Sequence, residues 1–138
     1  MKSVEKRLKK GSAYIQVYSC SDKLIGLIAV KVDGYLFESN GYDFIVHESL
    51  KYKCPKCRSI IKPKWFIDSN EWRISEVRTG MVVFYGKTRR DAISKFESHR
   101  SLEKLCETLH SKEYKKMIRE FEKAKKRKAI DVARLLDL

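Results

Sequence analysis

Two cysteines, Cys54 and Cys57, sit in the run Lys51-Tyr52-Lys53-Cys54-Pro55-Lys56-Cys57-Arg58, which carries the sharpest chemical signal in the sequence. In a Cys-Pro-x-Cys turn both thiolates point to one side and backbone N–H groups can donate to the sulfurs, which makes half of a tetrahedral zinc site. Cys106 and His110 stand four apart in a stretch of helical periodicity, so they project from one face about one turn apart. Cys54, Cys57, Cys106 and His110 together make a Cys₃His set for one structural zinc ion. Protein would fill all four positions, leaving none for a catalytic water. Cys20 and His47 are the substitute ligands. The competing reading makes Cys106 a small core residue between Leu105 and Leu109, with the paired thiols metal-free. Thioredoxin-like redox chemistry needs a cysteine at a helix start after a parallel strand, and this motif lies between antiparallel ones.

A second constellation surrounds the first. Lys51, Lys53, Lys56, Arg58, Lys62 and Lys64 fall within residues 51–64 without a single acid, interleaved with Tyr52 and followed by Trp65. Cations of this density neutralise phosphates with release of counterions, and aromatic rings can stack on unpaired bases. The plain alternative is a solubilising loop with Trp65 turned to the core. A third group, Lys87, Arg89 and Arg90, falls where a strand passes into a helix. There, free N–H groups and the positive end of the helix dipole already favour anions.

Catalytic patterns are scarce. The chain has no GxSxG, P-loop, HExxH or glycine-rich dinucleotide turn. Asp43, Glu48 and Lys51 loosely match the carboxylate–carboxylate–lysine set of metal-dependent nucleases, but the last two are three apart rather than two. His47-Glu48 could act as a general base pair, although a histidine at a strand end is more often plain surface.

The elements that must position these groups read as α+β. An N-terminal antiparallel meander comes first: Ala13–Tyr18, Leu24–Val32, Tyr35–Glu38 and Tyr42–His47, with hairpin turns expected at Asp33-Gly34 and Asn40-Gly41. The zinc-knuckle loop follows. A second three-stranded antiparallel group then comprises Lys64–Asp68, Glu71–Val77 and Met81–Tyr85, with a turn at Thr79-Gly80. C-terminal helices complete the chain. Thr88 and Asp91 fit a capping box, and Ala92, Ile93 and Phe96 form the apolar face behind it. Leu102, Leu105, Cys106, Leu109, Met117, Ile118 and Phe121 continue at three-and-four spacing. The run Lys123–Lys128 reads either as part of a nucleic-acid footprint, or a nuclear address, or as a solvated face. The closing Ile130, Ala133 and Leu136 stripe suits docking on the core or on a partner, including a second copy.

In this setting Trp72–Ile93 resembles two families of sheet-plus-helix nucleic-acid-binding modules, within residues 63–97. AP2-like and integrase arm-binding domains end a three-stranded sheet in a similar strand, Gly, Thr, charged pair and Ala. Double-stranded-RNA-binding domains enter their last helix through a similar Gly-Lys-Ser/Thr-Lys-Lys-x-Ala sequence, whose basic residues contact phosphates. That resemblance implies phosphate contacts at Lys87, Arg89 and Arg90. The first helix of the RNA-binding family has no counterpart here, and an AP2-like sheet would have to include the strand leaving the knuckle.

The 138 residues suit a single domain, 1–138, in which a basic head (1–10) precedes the meander (11–50) and the basic loop (51–64). Strands (65–86) and then helices with a basic tail (88–138) follow. With 43% hydrophobic residues the chain can build one core, and 31 Lys+Arg against 18 Asp+Glu leave a net charge of +13. A charge of that size calls for an anionic partner, first of all DNA or RNA. The longest apolar run, Leu24–Val30, is far short of the ~20 residues of a membrane helix. No signal peptide is recognisable, so the expected location is cytoplasmic, or nuclear in a eukaryote, with reduced thiols rather than disulfides. The expected function is that of a small, non-catalytic, zinc-stapled nucleic-acid-binding regulator of the kind phages and mobile elements carry. A stoichiometric protein-binding module is the rival, and a metal-dependent nuclease the third reading.

Overall fold

The computed structural model describes residues 4–21, 24–53, 64–98, 112–127 and 129–137. Five strands follow one another in space as in sequence: β1 (Lys9–Ser21), β2 (Leu24–Ser39), β3 (Tyr42–Lys53), β4 (Lys64–Glu76) and β5 (Val82–Gly86). All four pairings among them are antiparallel. A short β6 (Ala129–Asp131) adds in parallel to β2 through Ala29–Lys31. The helices are α1 (Val4–Arg7), α2 (Arg89–Glu97), α3 (Lys112–Arg127) and α4 (Val132–Leu136). The class is α+β, and the two strand groups of the sequence reading form one continuous sheet because β3 and β4 pair along most of their lengths.

One hairpin signal works and one does not. Asn40 and Gly41 both adopt positive φ (54° and 82°), as the tight turn between β2 and β3 requires. Asp33-Gly34 is no turn. The chain runs straight through it in β2, paired with Ser12 and Gly11, because the long β1 offers a partner to every residue. Gly34 serves a close crossing instead: a Cβ there would collide with the Val46 carbonyl oxygen. The expected break near Ser69-Asn70 is also absorbed. Glu48 pairs with Trp72 and Ser49 with Asp68, so Ser69, Asn70 and Glu71 bulge from an otherwise continuous β4. Asp68 Oδ1 accepts the Asn70 N–H at 3.0 Å, a local side-chain-to-backbone turn that accommodates the extra residues.

Thr79-Gly80 turns as expected, and a buried carboxylate organises it. Glu76 accepts from the Arg78 N–H (2.6 Å), the Thr79 N–H (3.0 Å) and the Thr79 hydroxyl (3.0 Å). The turn is also tied to the far strand. Gln16 N–H donates to the Gly80 carbonyl at 2.9 Å, and Gln16 Nε2 to the Thr79 carbonyl at 2.8 Å. These bonds curl the sheet until the β4–β5 turn meets β1.

Each face of the sheet buries its own core. On one, Phe37, Phe44, Val46 and Ile74 lie under Ala92, Ile93 and Phe96 of α2 and Tyr114 of α3. The Phe96 ring meets Phe37, Phe44 and Phe84 edge-on at centroid distances of 5.1, 4.9 and 5.4 Å. On the other face, Ile15, Ile28, Val30, Ile45, Leu50 and Trp65 are covered by Ile130 and Leu135. The chain end docks on the core through Ile130 and Leu135; of the expected stripe Ala133 is instead exposed and Leu136 half-buried, because the short helix turns Leu135 inward. Among the described residues no helix is long and apolar enough to cross a membrane.

Candidate nucleic-acid interface

The junction from β5 into α2 positions the first group of cations. Thr88 is the N-cap, in extended conformation, and its hydroxyl accepts the Asp91 N–H at 3.0 Å. Asp91 does not complete the reciprocal bond of a capping box; its Oδ2 takes the Lys87 N–H at 3.0 Å, one residue further out. That bond, with Lys95 one turn on, holds the Asp91 carboxyl below its ordinary range. Lys87 and Arg90 are exposed, and the Arg89 guanidinium lies over the Tyr35 ring, 4.4 Å from its centroid.

Lys51 stands differently. Its ammonium is 2.7 Å from Asp68 Oδ2 and 3.7 Å from Glu71, and Arg73 Nε reaches the same Glu71 carboxylate at 3.2 Å. The Asp68 bond holds the Lys51 ammonium above its ordinary range, and Lys51 lowers Asp68 in return. Glu71 is lowered first by the Ser49 hydroxyl, then by Arg73 and Lys51. The bulge in β4 thus brings two carboxylates to two cations, and the charge of Lys51 is matched within the fold.

His47 is interior, not surface as its place near a strand end suggests. It is 1% exposed. Its Nδ1–H donates to the Glu48 carbonyl at 2.8 Å, leaving Nε2 to accept from the Ser75 hydroxyl at 2.8 Å. Burial is the main cause that lowers its pKa to about 4, so the ring is neutral. With both nitrogens engaged inside the protein, it is poorly placed to ligate zinc or to act as a base. Nor do Asp43 and Glu48 join Lys51: among the described residues no three His, Cys, Asp or Glu side chains gather as a metal site.

Cys54, Lys56, Cys57, Arg58, Lys62, Cys106 and His110 lie outside the described residues, as do the side chains of Cys20, Lys53 and Lys64. The strand ends frame the cysteine motif all the same: Lys53 and Lys64 are direct partners, so Cys54-x-x-Cys57 belongs to the connection of the β3–β4 hairpin.

Two features escaped the sequence reading. The first is the extent of the cationic face on α3. Lys112, Lys116, Arg119, Lys123 and Arg127 follow at three-and-four spacing, all exposed, while Tyr114, Phe121 and Ala124 are buried beneath. In the sequence the apolar residues there carry the helical period, whereas the cations outside Lys123–Lys128 line up as a stripe only once the helix is placed. The second is a groove of about 540 Å³ lined by Lys10, Asp33, Tyr35, Glu48 and Trp72. It depends on strand register, which no local pattern encodes.

No protein-family model matches this chain, and neither a curated protein nor a solved structure is significantly similar to it.

Proposed function

We propose that this protein binds nucleic acid, without catalysis, through the cations of α2 and α3. The observation that carries the reading is the one-sign stripe on α3. Like charges at this spacing cost an isolated helix roughly 0.2–0.5 kcal/mol per pair. Among the described residues the single ion pair on the helix is Glu122–Lys125 at 2.7 Å, so no stripe cation is directly paired and only the flanking Glu113 and Glu120 offset the repulsion. A phosphate backbone would relieve it. Lys87, Arg89 and Arg90 support the same reading, because α2 and α3 pack on the same face of the sheet. The passage from β5 into α2 is also where the sequence resembles sheet-plus-helix nucleic-acid-binding modules.

The zinc staple belongs to this proposal and rests on the spacing of Cys54, Cys57, Cys106 and His110. Lys53, Lys56, Arg58, Lys62 and Lys64 would extend the footprint along the β3–β4 connection, whereas Lys51 contributes little because Asp68 and Glu71 hold it. The test is fluorescence anisotropy with labelled single- and double-stranded oligonucleotides. Replacing Lys116, Arg119 and Lys123 together by Ala should weaken binding at least tenfold; Lys51→Ala should change it less than twofold. Equal effects would overturn this assignment.

One observation favours a protein partner as the second reading. Met81, Val82 and Tyr85 leave apolar surface exposed along β5, the last strand of the sheet, and Tyr85 is 63% exposed. Such an interface would depend only weakly on salt.

A further inference from the structure

We infer that the groove at the parting of β2 and β3 is a seat for one unpaired nucleobase carrying an exocyclic amino group. The inference rests on the nucleic-acid reading above and adds strandedness and base preference to it.

The groove arises from register. The β2–β3 ladder runs from Ser39↔Tyr42 to Tyr35↔Val46 and stops there. Two residues further the same register would set Asp33 against Glu48. The strands separate instead, and these two carboxylates face the opening from either side. Lys10 is the direct partner of Tyr35 on β1, and Trp72 the direct partner of Glu48 on β4, so these side chains share one face of the sheet. Trp72 also pairs with Gly86, immediately before Lys87. Arg89 lies over Tyr35 from the α2 side. The groove thus has two half-buried aromatic rings, two carboxylate residues and Lys10 in its lining, with the Arg89 guanidinium over the Tyr35 ring.

That combination selects a ligand. A carboxylate repels phosphate and water-exposed anions, so acceptors within a cationic surface demand a group that donates hydrogen bonds while its own anion lies a few ångströms away. A nucleotide meets both needs. Its phosphates would run along Lys10 on one side and Lys87 and Arg89 on the other, the base would stack against Trp72, and its amino group would donate to Glu48 or Asp33. Carboxylates read the cytosine amino group in this manner, and aromatic and guanidinium planes stack unpaired bases. A volume of about 540 Å³ lies within the range of small-ligand sites. A base still stacked in a duplex cannot lay its face on Trp72, and thymine or uracil has no amino group to present.

The experiment uses the full chain with twelve-residue oligo(dC), oligo(dT) and a duplex, following anisotropy of the labelled strand and tryptophan fluorescence together. Trp65 is 6% exposed in the opposite core and supplies a constant background. Oligo(dC) should quench Trp72 and bind at least about fivefold more tightly than oligo(dT), the low end of one base-edge contact. The duplex should bind with no quenching. Glu48→Ala and Asp33→Ala combined should erase the preference for oligo(dC) while binding persists, and Lys10→Ala should weaken both single strands alike. Binding of all three ligands with no quenching and no base preference would overturn the groove and leave the cationic face standing. Absence of binding to every ligand would overturn both.

Discussion

Acid should unfold this protein earlier than its carboxylates alone would cause, and His47 is the reason. Its pKa is about 4 in the folded state against an ordinary 6.5, since charging it means placing a cation in a closed interior next to Arg73. The unfolded chain therefore binds more protons than the folded one throughout that window, and stability falls as pH drops from 6.5 towards 4. The full difference is about 3 kcal/mol, of which about 2 kcal/mol is already lost at pH 5. The assay is urea unfolding at pH 8, 6, 5.5 and 5, with the double variant His47→Leu/Ser75→Ala beside the wild type. Removing His47 together with Ser75 leaves no buried hydroxyl unpaired, and the Glu48 carbonyl that loses the Nδ1–H bond is only part-buried, so the variant should fold, and its stability should be nearly flat over this range. The difference in slope isolates His47, because His99 and His110 are present in both proteins. Parallel curves for the two proteins would refute the buried neutral imidazole.

Thr88→Ala removes the cap of α2 and should lower stability by about 1 kcal/mol in urea unfolding, with the sheet intact. Gly80→Ala should be more damaging. Its φ of 68° is left-handed, and a Cβ would stand 2.5 Å from Phe121 Cζ and 2.6 Å from Gln16 N, so a loss above about 2 kcal/mol is expected. Elemental analysis of the purified protein should find one zinc per chain, reduced in Cys54→Ser, Cys106→Ser and His110→Ala. A metal-free, well-folded wild type would make the four residues ordinary thiols and an ordinary imidazole.

Where a local pattern has a single low-energy outcome, it was legible in the sequence. Asn40-Gly41 and Thr79-Gly80 turn because left-handed backbone is cheap there, and Thr88 caps because its hydroxyl meets an N–H three residues on. Asp33-Gly34 has the same chemistry as Asn40-Gly41 and does not turn, since thirteen paired residues of β1 outweigh one local preference. The bulge at Ser69–Glu71, the ion network around Lys51 and the interior place of His47 depend on which residues face each other across β3 and β4. Local composition does not specify that register. The same holds for the groove: Lys10, Tyr35, Glu48 and Trp72 come from four strands and have no shared sequence signature.

The most direct test of the central claim is the affinity of wild-type protein for an oligonucleotide as a function of salt. A cationic face of this kind predicts a log–log slope of about −4 or steeper, shallower by roughly 2–3 when Lys116, Arg119 and Lys123 are replaced by Ala. A slope near zero, unchanged in that variant, would contradict nucleic-acid binding and leave the apolar surface of β5 as the functional one.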